Sequence, residues 1–471
     1  MSYTPHTDAT RRQMLETIGV DRFEDLIASI PAAARQSAPT DLPPTLSQSD
    51  VDQLLESLAA SNACSPACLS FLGGGAYDHH VPAAVDHLSA RSEFYTAYTP
   101  YQPEVAQGTL QATYEFQSMI RRLTAMDAAQ ASLYDGASAV AEAALLAMAH
   151  TRRRGIVIAG TLNPRYRSVL ETYLSAQDVT FTSATLPDGR TDFAGLGKTV
   201  DETTACVIMP SPNYFGNLDD WSRGAEIAHA AGALLVAVFH PIALGLLTPP
   251  GECGADIAVG EGQPLGNPPS FGGPLLGLFA TRRAYMRRMP GRLVGRSVDA
   301  RGAPAFVMTL QTREQHIRRE KATSNICTAQ ALMGTRAAIY MALMGRQGIQ
   351  RLAQTCADRA HYLAERIAAL DGYTVPFGPD FFNEFVVEAS VGAGAVLAQL
   401  RARGIFGGIE LGGRFPGCER RFLVCVTEKH SRDALDRLVA SLAEAHTGAA
   451  EPAVGTAGGH PRSTSGGVQG T

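Results

Sequence analysis

The chain has 471 residues, of which 45% are hydrophobic and 18% charged; this suits about three compact units and excludes a disordered polypeptide. A net charge of −5 leaves no bulk basic field for nucleic acid or anionic lipid. Eight scattered cysteines, no signal-peptide stretch and no long unbroken apolar run lead us to expect a cytoplasmic protein with reduced thiols and no membrane span.

Residues 1–46 predict a helical arm. Thr10 and Gln13 fit a capping box, and Gly19 can close that helix. Phe23, Leu26, Ile27 and Ile30 follow helical spacing until Pro31, and residues 31–46 read as a linker. Ser47 and Asp50 open another helix, with Val51, Leu54, Leu55 and Leu58 on one face.

Beyond about residue 105 helices alternate with short apolar strands, at 156–158, 179–182, 205–209, 234–239, 257–259 and 275–280. Continuous apolar strands between helices predict a doubly wound, mostly parallel α/β sheet. Helices at 326–345, 349–370, 393–403 and 431–445, with strands at 384–387 and 422–427, predict a smaller C-terminal α+β domain. The expected division is an arm at 1–46, a large domain at 47–320, a small domain at 321–446 and a disordered tail at 447–471.

Lysine chemistry has three candidates, Lys198, Lys321 and Lys429. Lys198 fails as a phosphate-loop lysine because Asp192 stands where the first glycine belongs. Asp78, His79 and His80 are adjacent, with His87 further on; that spacing splays the rings, so no metal site is expected. The turn Asp135, Gly136, Ala137, Ser138 feeds a helix, and capping is favoured there over anion binding. Tyr95, Tyr98 and Tyr101 lie in a stiff stretch, 94–104, that suits either a packing loop or a ligand surface. The glycines and prolines of 266–277 force turns. The polar run at 318–325 either caps the next helix or binds an anion.

Taken together, residues 74–104 (GGAYDHHVPAAVDHLSARSEFYTAYTPYQPE), 134–142 (YDGASAVAE), 212–216 (PNYFG), 260–277 (GEGQPLGNPPSFGGPLLG), 289–295 (MPGRLVG) and 310–328 (LQTREQHIRREKATSNICT) resemble the glycine cleavage system P-protein family. More narrowly, they are similar to subunit 1 of its two-subunit bacterial form, over about residues 1–446. The resemblance implies the fold-type I pyridoxal-phosphate transferase architecture. It also implies an oxidoreductase complex, an aminomethyl-transferring glycine dehydrogenase. That complex decarboxylates glycine with pyridoxal phosphate and passes the aminomethyl group to the lipoamide of H-protein.

An active chain of this fold needs a lysine to hold the cofactor and an acid at the end of the strand around 234–239. Positions 237–240 are Ala, Val, Phe and His, and alignment with the catalytic half puts Gln263 at the lysine position. The resemblance therefore implies the lysine-free half of an α2β2 heterotetramer, with no catalytic residue of its own. Subunit 2 would carry the covalently bound cofactor. This chain would lend Tyr98, Tyr101, Gln102, Glu104, Thr323, Ser324 and Asn325 as wall residues, and Gly136, Ala137 and Ser138 would be the relic of a phosphate cup. The alternative is a non-catalytic scaffold or regulatory protein that kept the fold.

Overall fold

The computed structural model describes residues 6–35, 43–63, 68–322, 324, 326 and 328–449. It divides into two units, Met1–Ala63 and Cys64–Thr471. Most of the expected tail, 450–471, lies outside the described residues.

Among the described residues the first unit holds three α-helices, α1 (Asp8–Ile18), α2 (Phe23–Leu26) and α3 (Gln48–Ala60), and a 3-10 turn at Ala32–Arg35. The cap of α1 is Thr7 rather than Thr10, because the Thr7 hydroxyl accepts the Thr10 N–H and the helix begins one turn earlier than expected. Gly19 closes it at φ 86°. The run toward Ile30 gives a single turn, α2, since four apolar residues without a partner surface cannot propagate a helix. Ser47 caps α3 by accepting the Asp50 N–H, as its sequence predicts.

The second unit is built on a seven-stranded sheet. Its strands are β1 (Ala128–Ala129), β2 (Gly155–Ala159), β3 (Thr180–Ala184), β4 (Thr204–Ser211), β5 (Leu234–Phe239), β6 (Ile257–Glu261) and β7 (Gly277–Thr281). Their order is β1-β7-β6-β5-β4-β2-β3. The run from β3 to β6 is parallel, while β7 and β1 are antiparallel. Strands β2, β4, β5 and β6 are largely apolar because both faces are covered, whereas the edge strand β3 is polar and largely exposed. Ile156 and Ile158 enter the core on one side, and Val157 and Ala159 the core on the other. Helices α4 (Gln107–Thr124), α5 (Gly136–Thr151) and α6 (Trp221–Ala230) supply the covering layers.

A hairpin, β8 (Leu293–Val298) with β9 (Pro304–Thr309), lies outside the sheet against α4. The sequence reading contains no such hairpin, because its strands are half exposed and lack the continuous apolar signal of the central ones. Gly345, at φ 59° and ψ −178°, breaks α7 (Ala331–Ala368) into the two helical segments that the sequence predicts, the first starting at Ala331. Residues 326–330 stand before it.

A second sheet, β10 (Tyr373–Thr374), β11 (Glu384–Ala389), β12 (Ile409–Glu410) and β13 (Arg421–Cys425), is antiparallel in the order β10-β11-β13-β12. Leu363 and Ile367 of α7, with helices α8 (Ala393–Ala402) and α9 (Arg432–Ala449), bury its apolar face.

Candidate functional site

In an open parallel sheet, ligands bind beyond the carboxyl ends of the strands where the strand order reverses. Here the reversal falls between β2 and β4. A cavity of about 60 Å³ lies there, lined among others by Asn163 beyond β2, Tyr214 beyond β4, His240 beyond β5 and Glu261 at the end of β6. Tyr77 and Glu384 close it. That volume holds a few waters.

Gln263 follows β6 and is 1% exposed. Its side-chain oxygen accepts the Tyr77 N–H at 2.8 Å, and its amide nitrogen donates to the carbonyls of Tyr77 (2.9 Å) and Asn267. The amide thus stitches the 73–79 loop to the 263–267 turn. It is neither nucleophilic nor free.

Glu261, two residues earlier, is a functional-site residue that sequence reasoning missed. Its carboxyl accepts backbone N–H groups from Gly136 (2.9 Å), Gln263 (2.9 Å) and Leu276 (2.8 Å). Burial pushes it up to about 8, although the three donors pull the other way. Asp135 caps α5, accepting the Ser138 N–H at 2.7 Å. The first turn of α5, where a phosphate would seat, therefore meets two carboxyl groups of its own chain. A Cβ at Gly136 would collide with the Tyr166 hydroxyl, so the turn is also tightly roofed.

Beyond β5, His240 replaces the carboxylate that a pyridine nitrogen requires. Burial drives its pKa down to about 3, so the ring is neutral; Nδ1 accepts from the Ala243 N–H and Nε2 has no partner among the described residues. The Tyr77 ring stands edge-on to it at 4.5 Å. Tyr77 donates its hydroxyl to Glu384 at 2.7 Å, and the Gly74 N–H donates to the other oxygen at 2.7 Å. A Cβ at Gly73 would strike that same carboxyl. Burial pushes Glu384 up to about 7. With no amine, no acid beyond β5, an occupied helix terminus and so small a cavity, these residues do not fit pyridoxal phosphate.

The histidine run resolves into separate contacts. Asp78 pairs with Lys429 at 2.6 Å. His79 hydrogen-bonds Glu428 at 2.7 Å, and the Cys356 thiol lies 3.6 Å from the same carboxyl. Burial opposes the charge on Glu428, but the His79 hydrogen bond holds it down at about 2. These three ligand atoms gather within 4.8 Å. The imidazole and carboxyl touch as hydrogen-bond partners, closer than the about 3.3 Å between two ligands of one tetrahedral ion.

Gln263 does not itself line the cavity, and neither does any other sequence candidate among the described residues. Tyr98 is 82% exposed, Tyr101 is half exposed, and Gln102 and Glu104 are exposed. Short helical turns stand at the two ends of the 94–104 stretch, Ser92–Tyr95 and Pro103–Val105. Arg292 lies over the Tyr101 ring at 5.6 Å, and His316 meets it edge-on at 5.9 Å. Ser324 hydrogen-bonds the buried Glu142 of α5, whose carboxyl burial pushes up to about 7. It does not cap α7, whose first residue is Ala331. Thr323 and Asn325 lie outside the described residues.

The family model of the glycine cleavage system P-protein matches residues 1–442. The chain is 50% identical to a probable glycine dehydrogenase (decarboxylating) subunit 1 of Thermomicrobium roseum, across 94% of this chain and 100% of that one. Among solved structures it superposes with TM-score 0.88 and 44% identity on an inhibitor-bound glycine decarboxylase (P-protein) of the glycine cleavage system, covering 94% of this chain and 100% of that one. A glutamate decarboxylase of Lactobacillus brevis shares the fold at TM-score 0.67 and 13% identity, covering 90% of this chain and 98% of that one. The architecture is that of the fold-type I pyridoxal-phosphate enzymes.

Proposed function

The chain belongs to the glycine cleavage system P-protein family, and on that premise we propose that it is the lysine-free subunit of a two-chain glycine decarboxylase. The observation that carries this reading is Gln263, buried and engaged by three backbone groups where an active chain keeps its lysine. Pyridoxal phosphate belongs to the partner subunit, where it supplies the electron sink for loss of CO2 from glycine. The aminomethyl group then passes to the lipoamide of H-protein. The assembly is a cytoplasmic α2β2 heterotetramer. Among the described residues no helix is long and apolar enough to cross a membrane.

In this reading the chain contributes surface and support. Tyr98, Tyr101, Gln102 and Glu104 are exposed around the Arg292 and His316 contacts and suit the wall of a site completed by the partner. Thr323, Ser324 and Asn325 belong to the same proposed wall. The interior around the cavity, braced by the buried Glu261 and Gln263, supports the fold.

Co-expression with subunit 2 tests the proposal. Decarboxylation of glycine, read as CO2 exchange in the presence of lipoyl H-protein, is expected from the pair and not from this chain alone. Turnover by the lone chain contradicts the proposal. The closed chamber suits a scaffold equally well, and Tyr101→Phe separates the two readings. Altered turnover with unaltered assembly favours the wall; no change in either favours the scaffold.

A further inference from the structure

The first unit is written as helices but has nothing of its own to bury. α1, α2 and α3 contain no buried residue. On α3, Val51, Leu54, Leu55 and Leu58 share one face and are 37–58% exposed. Among the described residues six more large apolar side chains are exposed on α1 and α2 and beside the three helices, bringing the unit to ten. Among the described residues the second unit, more than six times longer, exposes thirteen. Helices of 11, 4 and 13 residues are too short to persist in water without a surface to pack on.

Area and charge indicate what covers them. Burying what these ten side chains expose supplies roughly 500 Å² of apolar area, most of one side of a standard interface of about 800 Å². Residues 1–63 carry four arginines against nine carboxylates, the whole of the chain's net charge of −5. The remaining residues balance 36 cations against 36 carboxylates. The arm is an acidic amphipathic element, and an apolar groove with a cationic rim would complement it.

Resting on the two-chain reading above, we propose that the arm closes over the lysine-bearing partner subunit and lays the Val51–Leu54–Leu55–Leu58 face of α3 into such a groove. Association then anchors the two chains through the arm. The arm contributes to assembly and not to chemistry.

The test uses the full-length chain carrying Leu54→Asp and Leu58→Asp together, mixed with subunit 2 and followed by sedimentation velocity. Both positions are exposed, so the free variant is expected to keep the wild-type melting temperature. Its Kd for the partner is expected to rise about a hundredfold. Hydrogen exchange at residues 48–60 is expected to be fast in the free chain and protected only in the complex. Variant assembly as tight as wild type overturns the proposal. So does protection already present in the free monomer, which would place α3 on its own body, or protection arising from self-association of this chain alone. If wild type itself does not assemble with subunit 2, the two-chain reading fails and this one with it.

Discussion

The chamber at the sheet's carboxyl edge and the strip around Tyr101 occupy opposite conditions. In the chamber Gln263 and the Glu261 carboxyl are bonded to their own chain and sealed from solvent. In the strip Tyr98 is mostly exposed, and the half-exposed Tyr101 ring lies against Arg292. The contrast teaches that an inherited cleft can be closed by its own side chains while residues suited to ligand contact persist outside. A closed polar interior stabilises the fold, since each buried group left unpaired costs about 1–3 kcal/mol.

The largest effect is expected inside. Gln263→Leu strands the Tyr77 N–H and the Asn267 carbonyl, and should cost about 3 kcal/mol in urea unfolding. A cost under about 1 kcal/mol would break the picture of a self-satisfied chamber. Gln263→Lys restores the amine but neither the room nor the helix terminus. Added pyridoxal phosphate should therefore give no visible absorbance band, and a stoichiometric band would mean that the chamber is still a cofactor site.

Next comes pH. Glu384 and Glu261 sit near 7 and 8 in the folded chain, above the usual carboxyl value of 4.5. A carboxyl raised by folding stabilises most below about 4.5, and that contribution is lost as pH rises through the folded value. Stability should therefore fall between about pH 4.5 and 8. In Glu384→Gln the fall should shrink by about 3 kcal/mol. Equal slopes in mutant and wild type would mean that Glu384 ionises as freely as in the unfolded chain. Glu428 works the other way: lowered to about 2, it stabilises above about 4.5, and that support is lost as pH falls through 2.

The smallest effect on the isolated chain is expected outside. Tyr101→Phe removes a hydroxyl 3.5 Å from an Arg292 nitrogen at a half-exposed ring. Chain stability should move by less than about 0.5 kcal/mol. Turnover of the reconstituted complex should fall several-fold at unchanged assembly. A stability loss without a turnover change would make the strip a packing loop.

Much of this contrast is legible in the sequence. The buried strands announce themselves because both faces are covered, so 234–239 reads as a strand with no competing period. The half-exposed hairpin β8–β9 has no such signal. The break in α7 is legible, since a glycine within a helical pattern reads as an end and Gly345 does end a helical segment. In the chamber the missing lysine is visible at Gln263, but Glu261 is not singled out. Its partners are backbone N–H groups of Gly136 and Leu276, 125 and 15 residues away, which no side-chain pattern records. Tyr77 meets Glu384 across 307 residues, so that pair too belongs to the fold and to no local motif. The one local cue was a carboxylate ending an apolar strand next to the lysine position.

The central claim is that this chain holds no amine where the cofactor's aldehyde is captured. Borohydride reduction of the reconstituted complex, followed by peptide mapping of both subunits, tests it directly. The pyridoxyl label is expected on the partner subunit alone. Stoichiometric label on Lys198, Lys321 or Lys429 of this chain would contradict the account.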